Sequence, residues 1–291
     1  MTRTLIVDNE AQRLNSNAAS AFFAAVERAC RSVVPTRVAF DCEGVSLSRI
    51  GSLEVVSLCF EDDSGTAFLV DLNVSKHGAT PEHNARVAAL KQLFECPTVT
   101  KIIHDCRMDC DALYHHCGIS LQNVHDTSCY HTVITLEDAA SLNTVLAYNG
   151  VSSNTTRDST VYQRNPNFWA MRPMTAMMIT WASSDVDKLL QLASRQTAIL
   201  TARGLLYEAN AKSMSARFAG LLPRMSVDTS LRCRPSVIGK FMGTKGRNVR
   251  NLEKRSGACI YRSRGHVNMQ FIVYYPDQNA LSMVRRAMAG V

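Results

Sequence analysis

Asp41 and Glu43 are the first pair of side chains whose spacing could serve chemistry. They lie two residues apart in the apolar segment VAFDCE, which predicts a strand, so both carboxylates point to one face. Two carboxylates at the end of a buried strand repel each other and lose solvation, and a divalent cation would offset both costs. The pattern alone favours a simpler arrangement, in which the pair lies beyond the end of the sheet and is solvated by water.

Asp109 and Asp185 are two further acids that helical spacing turns inward. Asp109 lies in IIHDCRMDCDALYHHCG, on the same predicted helix face as Ala112 and Leu113. Asp185 lies in ITWASSDVDKLL, which predicts a single helix with this acid on its apolar side, one turn after Trp181. Each acid by itself could be a buried, hydrogen-bonded side chain. Together with the pair on the strand they make four carboxylates, and oxygen ligands of this number suit two hard cations, Mg²⁺ or Mn²⁺.

Three segments of the chain resemble the three sequence motifs of the DEDD 3′–5′ exonucleases, the ribonuclease D superfamily. They are FDCEG, HDCRMDCDALYHHCGI and WASSDVDKLLQL, in that order within residues 36–200. The first two are most similar to the Egalitarian-like and Exd1-like branch, and FWAMRP (168–173) is similar to the segment before the third motif in ribonuclease D relatives. The resemblance implies a ribonuclease H-like α/β fold. It also implies that the four acids hold two Mg²⁺ or Mn²⁺ ions, which cleave a phosphodiester at the 3′ end of RNA.

Trp181 is the position at which the chain departs from that superfamily. The ribonuclease D subclass has a tyrosine four residues before the last aspartate, and the other subclass has a histidine five residues before it; here those positions are Trp181 and Thr180. An indole N–H only donates, so it cannot take a proton from water, and general-base assistance is worth about 10²–10⁴ in rate. Because all four acids are present, we expect a 3′–5′ exoribonuclease that cleaves single-stranded RNA with two metal ions. The alternative is a catalytically weak or inactive exonuclease-like protein that binds RNA or acts as an adaptor.

A glycine-bounded turn near the C-terminal end carries a second pattern that could bind a ligand. Its four residues are Gly243, Thr244, Lys245 and Gly246. The glycines let the backbone approach phosphates closely, and the lysine adds positive charge. A P-loop is excluded because no Gly-Lys-Ser/Thr sequence closes the motif.

The sequence around this turn, VIGKFMGTKGRNVRNLEKRSGACI, resembles a KH domain. The predicted helices before and after the turn carry apolar residues on one side. They are followed by strands and by a last helix at 277–289, which is the element order of a type I KH fold. The resemblance implies that single-stranded RNA binds beside the GTKG turn, with single-stranded DNA as the alternative. The residues expected to flank the nucleic-acid backbone are Lys240, Arg247 and Arg250.

The remaining sequence predicts the elements that position these residues. Predicted strands lie at 37–43, 53–60, 66–72, 100–105 and 123–127. Turn signals between the first three strands predict an antiparallel meander, and the alternation with helices that follows indicates a mixed-sheet α/β domain. The predicted domains are an N-terminal helical extension (1–35, with a helix at 10–31), an exonuclease-like domain (36–205), a linker helix (206–223) ending at Pro223, and a small α+β KH domain (224–291).

The charge of the chain is unevenly distributed. The net charge is +7, but residues 224–291 contain thirteen Lys and Arg against three Asp and Glu, so the rest of the chain is slightly acidic. A basic terminal domain suggests a polyanionic partner, although a solvated basic face would give the same count. The ten cysteines are scattered without a CxxC pair, and their spacings fit no standard zinc site, which predicts an intracellular protein with reduced thiols. The lack of a long apolar run predicts no membrane association. The expected location is cytoplasmic or nuclear, with a mitochondrial location as the alternative.

Overall fold

The chain forms two compact units, which comprise residues 1–158 with 167–217, and residues 159–166 with 218–291. The computed structural model describes residues 3–13, 16–74, 78–137, 140–154, 157–158, 160–216, 226–262 and 269–290. Among the helices in these ranges, none has the length and apolar character needed to span a bilayer.

A six-stranded mixed sheet forms the centre of the first unit. Its strands are β1 (Arg3–Val7), β2 (Thr36–Glu43), β3 (Val55–Phe60), β4 (Thr66–Asp71), β5 (Val99–Ile103) and β6 (Val124–Asp126). They lie in the order β1-β4-β3-β2-β5-β6. The antiparallel pairs β2–β3 and β3–β4 confirm the predicted meander, whereas β1–β4, β2–β5 and β5–β6 are parallel. β2 is therefore a central strand with hydrogen-bonded neighbours on both sides.

Helices cover this sheet and continue to the end of the unit. They are α1 (Asn9–Arg13), α2 (Asn17–Arg31), α3 (Pro81–Glu95), α4 (Arg107–Cys117), α5 (Thr127–Thr135), α6 (Leu142–Tyr148), α8 (Ala176–Ser184), α9 (Leu189–Arg203) and α10 (Leu206–Ala216), while α7 (Thr160–Arg164) belongs to the second unit. Aromatic side chains fill the space between helices and sheet: Phe40 of β2 lies 4.7 Å from Phe94 of α3, between ring centroids. Burial of apolar surface is the dominant favourable term in folding.

The N-terminal residues differ from the predicted helical extension. Arg3–Val7 form β1, which pairs with β4 at the edge of the sheet and buries Val7 completely. The predicted helix at 10–31 consists of two helices, α1 and α2. The second begins after Ser16, whose Oγ accepts a hydrogen bond from the Ala19 N–H, because serine is more favourable as a helix cap than inside a helix. Leu14, predicted on the apolar side of that helix, lies outside the described residues.

The second unit is a small α+β structure around an antiparallel sheet. Its elements are β7 (Ser226–Asp228), β8 (Arg232–Cys233), α11 (Ile238–Met242), α12 (Arg247–Ser256), β9 (Cys259–Arg262), β10 (Met269–Tyr275) and α13 (Gln278–Ala289). β10 pairs with β7, β8 and β9. Phe241 of α11 and Phe271 of β10 meet in the core with ring centroids 5.1 Å apart. The predicted linker helix corresponds to α10 as far as Ala216, and its remainder with Pro223 lies outside the described residues.

Candidate active site

The carboxylates of Asp41 and Glu43 lie at the carboxyl end of the central strand β2. Strand alternation gives Asp41, Glu43 and Ala39 the same face, and Ala39 packs in one apolar cluster with Val186 and Leu189. That face is therefore covered by the chain around the start of α9. Glu43 is only 6% exposed, and Asp41 is half-buried. The pair is thus held inside the fold and not beyond the end of the sheet.

Asp185 approaches this pair from the end of α8. The predicted single helix over residues 179–190 is wrong: α8 ends at Ser184, and α9 begins at Leu189. The break follows two serines whose hydroxyls bond back to helix carbonyls, Ser183 to Ile179 at 2.8 Å and Ser184 to Trp181 at 3.0 Å, and such bonds compete with helix continuation. Oxygen atoms of Asp41, Glu43 and Asp185 all lie within 4.8 Å of one another.

Asp109 occupies a buried position beside this group. Its Oδ1 accepts a hydrogen bond from the Cys42 N–H at 3.0 Å. The last paired residue of β2 against β5 is Ala39, so Asp109 satisfies a backbone donor beyond the end of that ladder. Among the described residues, the carboxylates within 4.8 Å of one another do not include Asp109, so the structure brings together three of the four predicted acids.

The carboxylates of this region are held in surroundings that disfavour their charged form. Burial raises the pKa of Glu43 to about 8, with Arg157 opposing the shift and Asp41 adding to it. Burial also raises the pKa of Asp41, against the effect of Arg157, and raises the pKa of Asp109, to which the charge of Asp41 contributes. The group would therefore gain from additional positive charge. Oxygen-only donors from two separate segments fit a hard divalent cation such as Mg²⁺ or Mn²⁺.

Arg157 is a residue of this site that the sequence pattern did not identify. Its Nη2 donates to both Glu43 and Asp185, and its Nη1 donates to Glu43 Oε2 at 3.3 Å. Asn154 also donates to Asp185 through its side-chain amide. Arg157 lies in the polar stretch SSNTTRDST, which shows no helical or strand periodicity, and only its positive charge distinguishes it there.

Two tryptophans flank the Arg157 guanidinium. The ring centroids of Trp169 and Trp181 lie 5.5 and 5.7 Å from its Cζ, within the range of a cation–π interaction. Both indoles are buried, and Phe168 lies 5.5 Å from Trp181. Trp181, at the position where the sequence departs from the ribonuclease D pattern, thus packs against a cation that contacts two of the acids.

Arg172 fixes the segment that carries Trp169. Its guanidinium makes five hydrogen bonds, two to Asp71 at the end of β4 and three to backbone carbonyls, those of Glu54, Trp169 and Met171. A planar guanidinium presents five donors in a rigid fork, so this set uses them all. The FWAMRP segment is therefore anchored to the end of β4 through an arginine whose five donors are all hydrogen-bonded.

The GTKG turn of the second unit lies between α11 and α12. Gly243 has a φ of +72°, and a Cβ atom there would lie 2.6 Å from the Asn248 side chain, so only glycine fits without a shift. Asn248 in turn donates to the Lys240 carbonyl at 2.8 Å. Gly246 directly precedes Arg247, the first residue of α12. The turn thus ends where backbone N–H groups at a helix start favour an anion.

The predicted nucleic-acid-binding side chains around this turn differ in exposure. The exposed ones are Lys240, Thr244 and Arg247, whereas Arg250 is half-buried. The side chain of Lys245 lies outside the described part of the chain.

Comparison with known proteins gives a family match over most of the chain. A 3′–5′ exonuclease family model covers residues 16–200.

 The alignment therefore includes the segments that carry all four predicted acids.

Individual proteins resemble the chain over comparable stretches. The piRNA biogenesis protein EXD1 of Homo sapiens is 26% identical over 167 residues, which cover 52% of this chain and 30% of that protein. Escherichia coli RNase D has a TM-score of 0.55 at 20% identity, covering 75% of this chain and 50% of the RNase D chain. Brucella melitensis NrnC with bound Mg²⁺ has a TM-score of 0.53 at 22% identity, covering 75% and 90% of the two chains. The chain thus spans at most half the length of EXD1 and of the RNase D structure.

The solved structures and the family model support different conclusions. The two solved structures show a shared fold, which confirms the predicted mixed-sheet α/β fold. The family model spans more than half of the residues, from α2 to α9, and includes the strand and helices that position the acids. The chain belongs to the 3′–5′ exonuclease family.

Proposed function

We propose that the chain is a 3′–5′ exoribonuclease that hydrolyses single-stranded RNA by two-metal-ion cleavage. The observation that carries the proposal is the meeting of Asp41, Glu43 and Asp185, from two separate segments, within 4.8 Å at the end of β2. Acids gathered at this density in a buried position repel each other strongly unless cations join them. Family membership supports the same reaction.

Each acid has a distinct part in this proposal. Asp41, Glu43, Asp109 and Asp185 would hold two Mg²⁺ or Mn²⁺ ions, which activate a water molecule and stabilise the leaving oxygen when they are bound. Asp109 also holds the Cys42 backbone, so it keeps the end of β2 in place while contributing charge next to Asp41. The Mg²⁺ bound to the related NrnC structure is consistent with this choice of metal.

We further propose that the second unit is a type I KH domain that binds the RNA. Its element order, its antiparallel sheet with β10 paired to β7 and β9, and the GTKG turn before α12 support this assignment. The phosphates would lie against the turn and the start of α12, where Lys240, Arg247 and Arg250 add positive charge. Single-stranded DNA remains the second candidate ligand.

A second function, RNA binding without turnover, is favoured by one observation. Trp181 offers no group that can accept a proton from water, and its ring packs beside an arginine that contacts two of the acids. A chain arranged in this way could act as an adaptor that holds RNA. Similarity to EXD1, a piRNA biogenesis protein, is compatible with either function.

RNA labelled at its 3′ or 5′ end separates the two functions. The wild-type chain with Mn²⁺ should shorten 5′-labelled RNA stepwise and release the 3′ label early, because cleavage begins at the 3′ end. Asp41→Ala should show no shortening, since it removes a carboxylate of the centre. Wild-type degradation no greater than that of Asp41→Ala would reject the nuclease and leave the adaptor function.

A further inference from the structure

The Arg157 guanidinium binds two of the three carboxylates that a metal ion would use. Of the three clustered carboxylates, Glu43 and Asp185 both accept hydrogen bonds from Arg157. A guanidinium is planar and always charged, so it can join two carboxylates as a cation at any pH near neutrality. The contact therefore neutralises part of the acidic group without any metal.

The surroundings of Arg157 stabilise it in this position. Trp169 and Trp181 are 3% and 5% exposed, and their rings lie close enough to the guanidinium for cation–π attraction. Tryptophan is the strongest of the aromatic side chains in this interaction. Trp181, which stands where the ribonuclease D subclass has tyrosine, therefore has a physical role as a partner of Arg157.

Arg157 and a divalent cation compete for these two carboxylates. Both are positively charged, and both need the lone pairs of Glu43 and Asp185. A ligand that binds only after an internal group has left binds more weakly, in proportion to the population of the open form. Metal binding at this centre must therefore displace the guanidinium.

We propose that Arg157 is an internal competitor of divalent cations for Glu43 and Asp185, and that it sets the metal concentration at which the centre becomes loaded. The inference rests on the metal centre of the proposed function and adds a control on its occupancy. Trp169 and Trp181 strengthen the competitor, while Asn154 holds Asp185 from the same polar stretch.

Mn²⁺ binding to the full chain, measured by calorimetry and by loss of the free-ion electron paramagnetic resonance signal, tests the inference without using activity. Arg157→Gln should lower the Kd for Mn²⁺ by about tenfold or more, because the competing charge is gone. Arg157→Lys keeps a charge but loses the planar fork, so its Kd should fall between the two. Arg164→Gln, which changes an exposed arginine nearby in the sequence, is the matched control and should bind Mn²⁺ as the wild type does.

The outcomes separate this inference from the proposed function. If Arg157→Gln and Arg157→Lys bind Mn²⁺ no more tightly than the wild type, while the wild type degrades RNA, the competitor role is wrong and the nuclease stands. If neither the wild type nor Arg157→Gln binds Mn²⁺ above the level of Asp41→Ala, the metal centre is wrong and the competitor role fails with it. Should Arg157→Gln not fold, the Arg157→Lys measurement decides by the same criterion.

Discussion

The acidic centre of the first unit and the GTKG turn of the second unit carry opposite charges and are built from different kinds of segment. The centre joins carboxylates from β2 and from the end of α8; Glu43 is buried, and Asp41 and Asp185 are half-buried. The turn lies within four consecutive residues and leaves Thr244 exposed. A buried centre depends on compensating charge, whereas an exposed turn depends on solvent access. Substitutions in one region should therefore leave the property of the other unchanged.

The largest expected effect is loss of cleavage in the acidic centre with RNA affinity retained. Asp185→Asn should lower the cleavage rate by about 10³-fold or more, since removing a metal-ligating charge costs several kcal/mol in the transition state. Its RNA Kd should stay within about twofold of the wild-type value, because the proposed RNA contacts lie on the second unit. Single-turnover cleavage and fluorescence anisotropy measure the two quantities.

Asp187→Asn is the control for this substitution. Asp187 lies two residues away, outside the carboxylate group, and pairs with Lys188 at 3.2 Å. The Asp187→Asn variant should cleave RNA at nearly the wild-type rate. Equal losses in the two variants would show that the effect comes from folding of this segment and not from the centre.

The buried groups of the first unit also predict a pH dependence of its stability. His125 is 5% exposed, stacks on Tyr130 with ring centroids 3.5 Å apart, and has its pKa lowered to about 4 by burial. The His125 side chain of the unfolded chain takes up a proton near pH 6.5, whereas that of the folded chain does so only near pH 4. The contribution of neutral His125 to the free energy of unfolding is therefore present above pH 6.5 and is lost as the pH falls to 4. The loss amounts to about 3 kcal/mol.

Urea unfolding followed by tryptophan fluorescence measures this contribution. The chain has two tryptophans, Trp169 and Trp181, and both belong to the first unit. His125→Gln should reduce the fall in unfolding free energy between pH 6.5 and 4. An unchanged pH slope in this variant would assign the acid sensitivity to other groups.

Local patterns predicted much of the fold because they depend on neighbouring residues. The meander follows from strand periodicity and turn signals, and the GTKG turn lies within one short segment. Arg157 could not be found in this way, since its partners Glu43 and Asp185 are 114 and 28 residues away and its own stretch has no periodicity. β1 is a short edge strand whose pairing with β4 depends on tertiary contacts.

The positions of the four acids were also predicted only in part from local sequence patterns. Helical spacing predicted that Asp109 faces inward, and the structure buries it. For Asp41 and Glu43 the strand pattern alone favoured a solvated pair, whereas the structure buries Glu43. The helix predicted through Asp185 ended instead at Ser184, because serine hydroxyls bonded to the helix backbone. Spacing thus predicts which face a side chain occupies, but not where competing side-chain hydrogen bonds end the element.

In the second unit, the expected effect is loss of RNA affinity with metal binding retained. Replacing Thr244 and Lys245 with Asp should weaken RNA binding by about 100-fold, because two negative charges would face phosphates and one positive charge is lost. Mn²⁺ affinity should not change. Anisotropy at several salt concentrations measures the RNA Kd and its salt dependence.

Ser282→Asp with Arg286→Asp is the matched control for that double substitution. Both positions are exposed on α13, and the change in net charge is the same. A similar loss of affinity in the control would mean that overall charge, and not the turn, governs RNA binding.

The smallest expected effect concerns Trp181, where the indole replaces a tyrosine hydroxyl. Trp181→Tyr should raise the cleavage rate by about tenfold at saturating Mn²⁺, because a hydroxyl can accept as well as donate a hydrogen bond and so can orient water. Trp181→Phe lacks the hydroxyl and should give no increase. If both variants gain equally, and only below saturating Mn²⁺, the gain comes from a weaker hold on Arg157, since both rings attract a cation less strongly than indole does. If neither gains at saturating metal, water orientation does not limit the reaction, and packing against Arg157 is the function of Trp181.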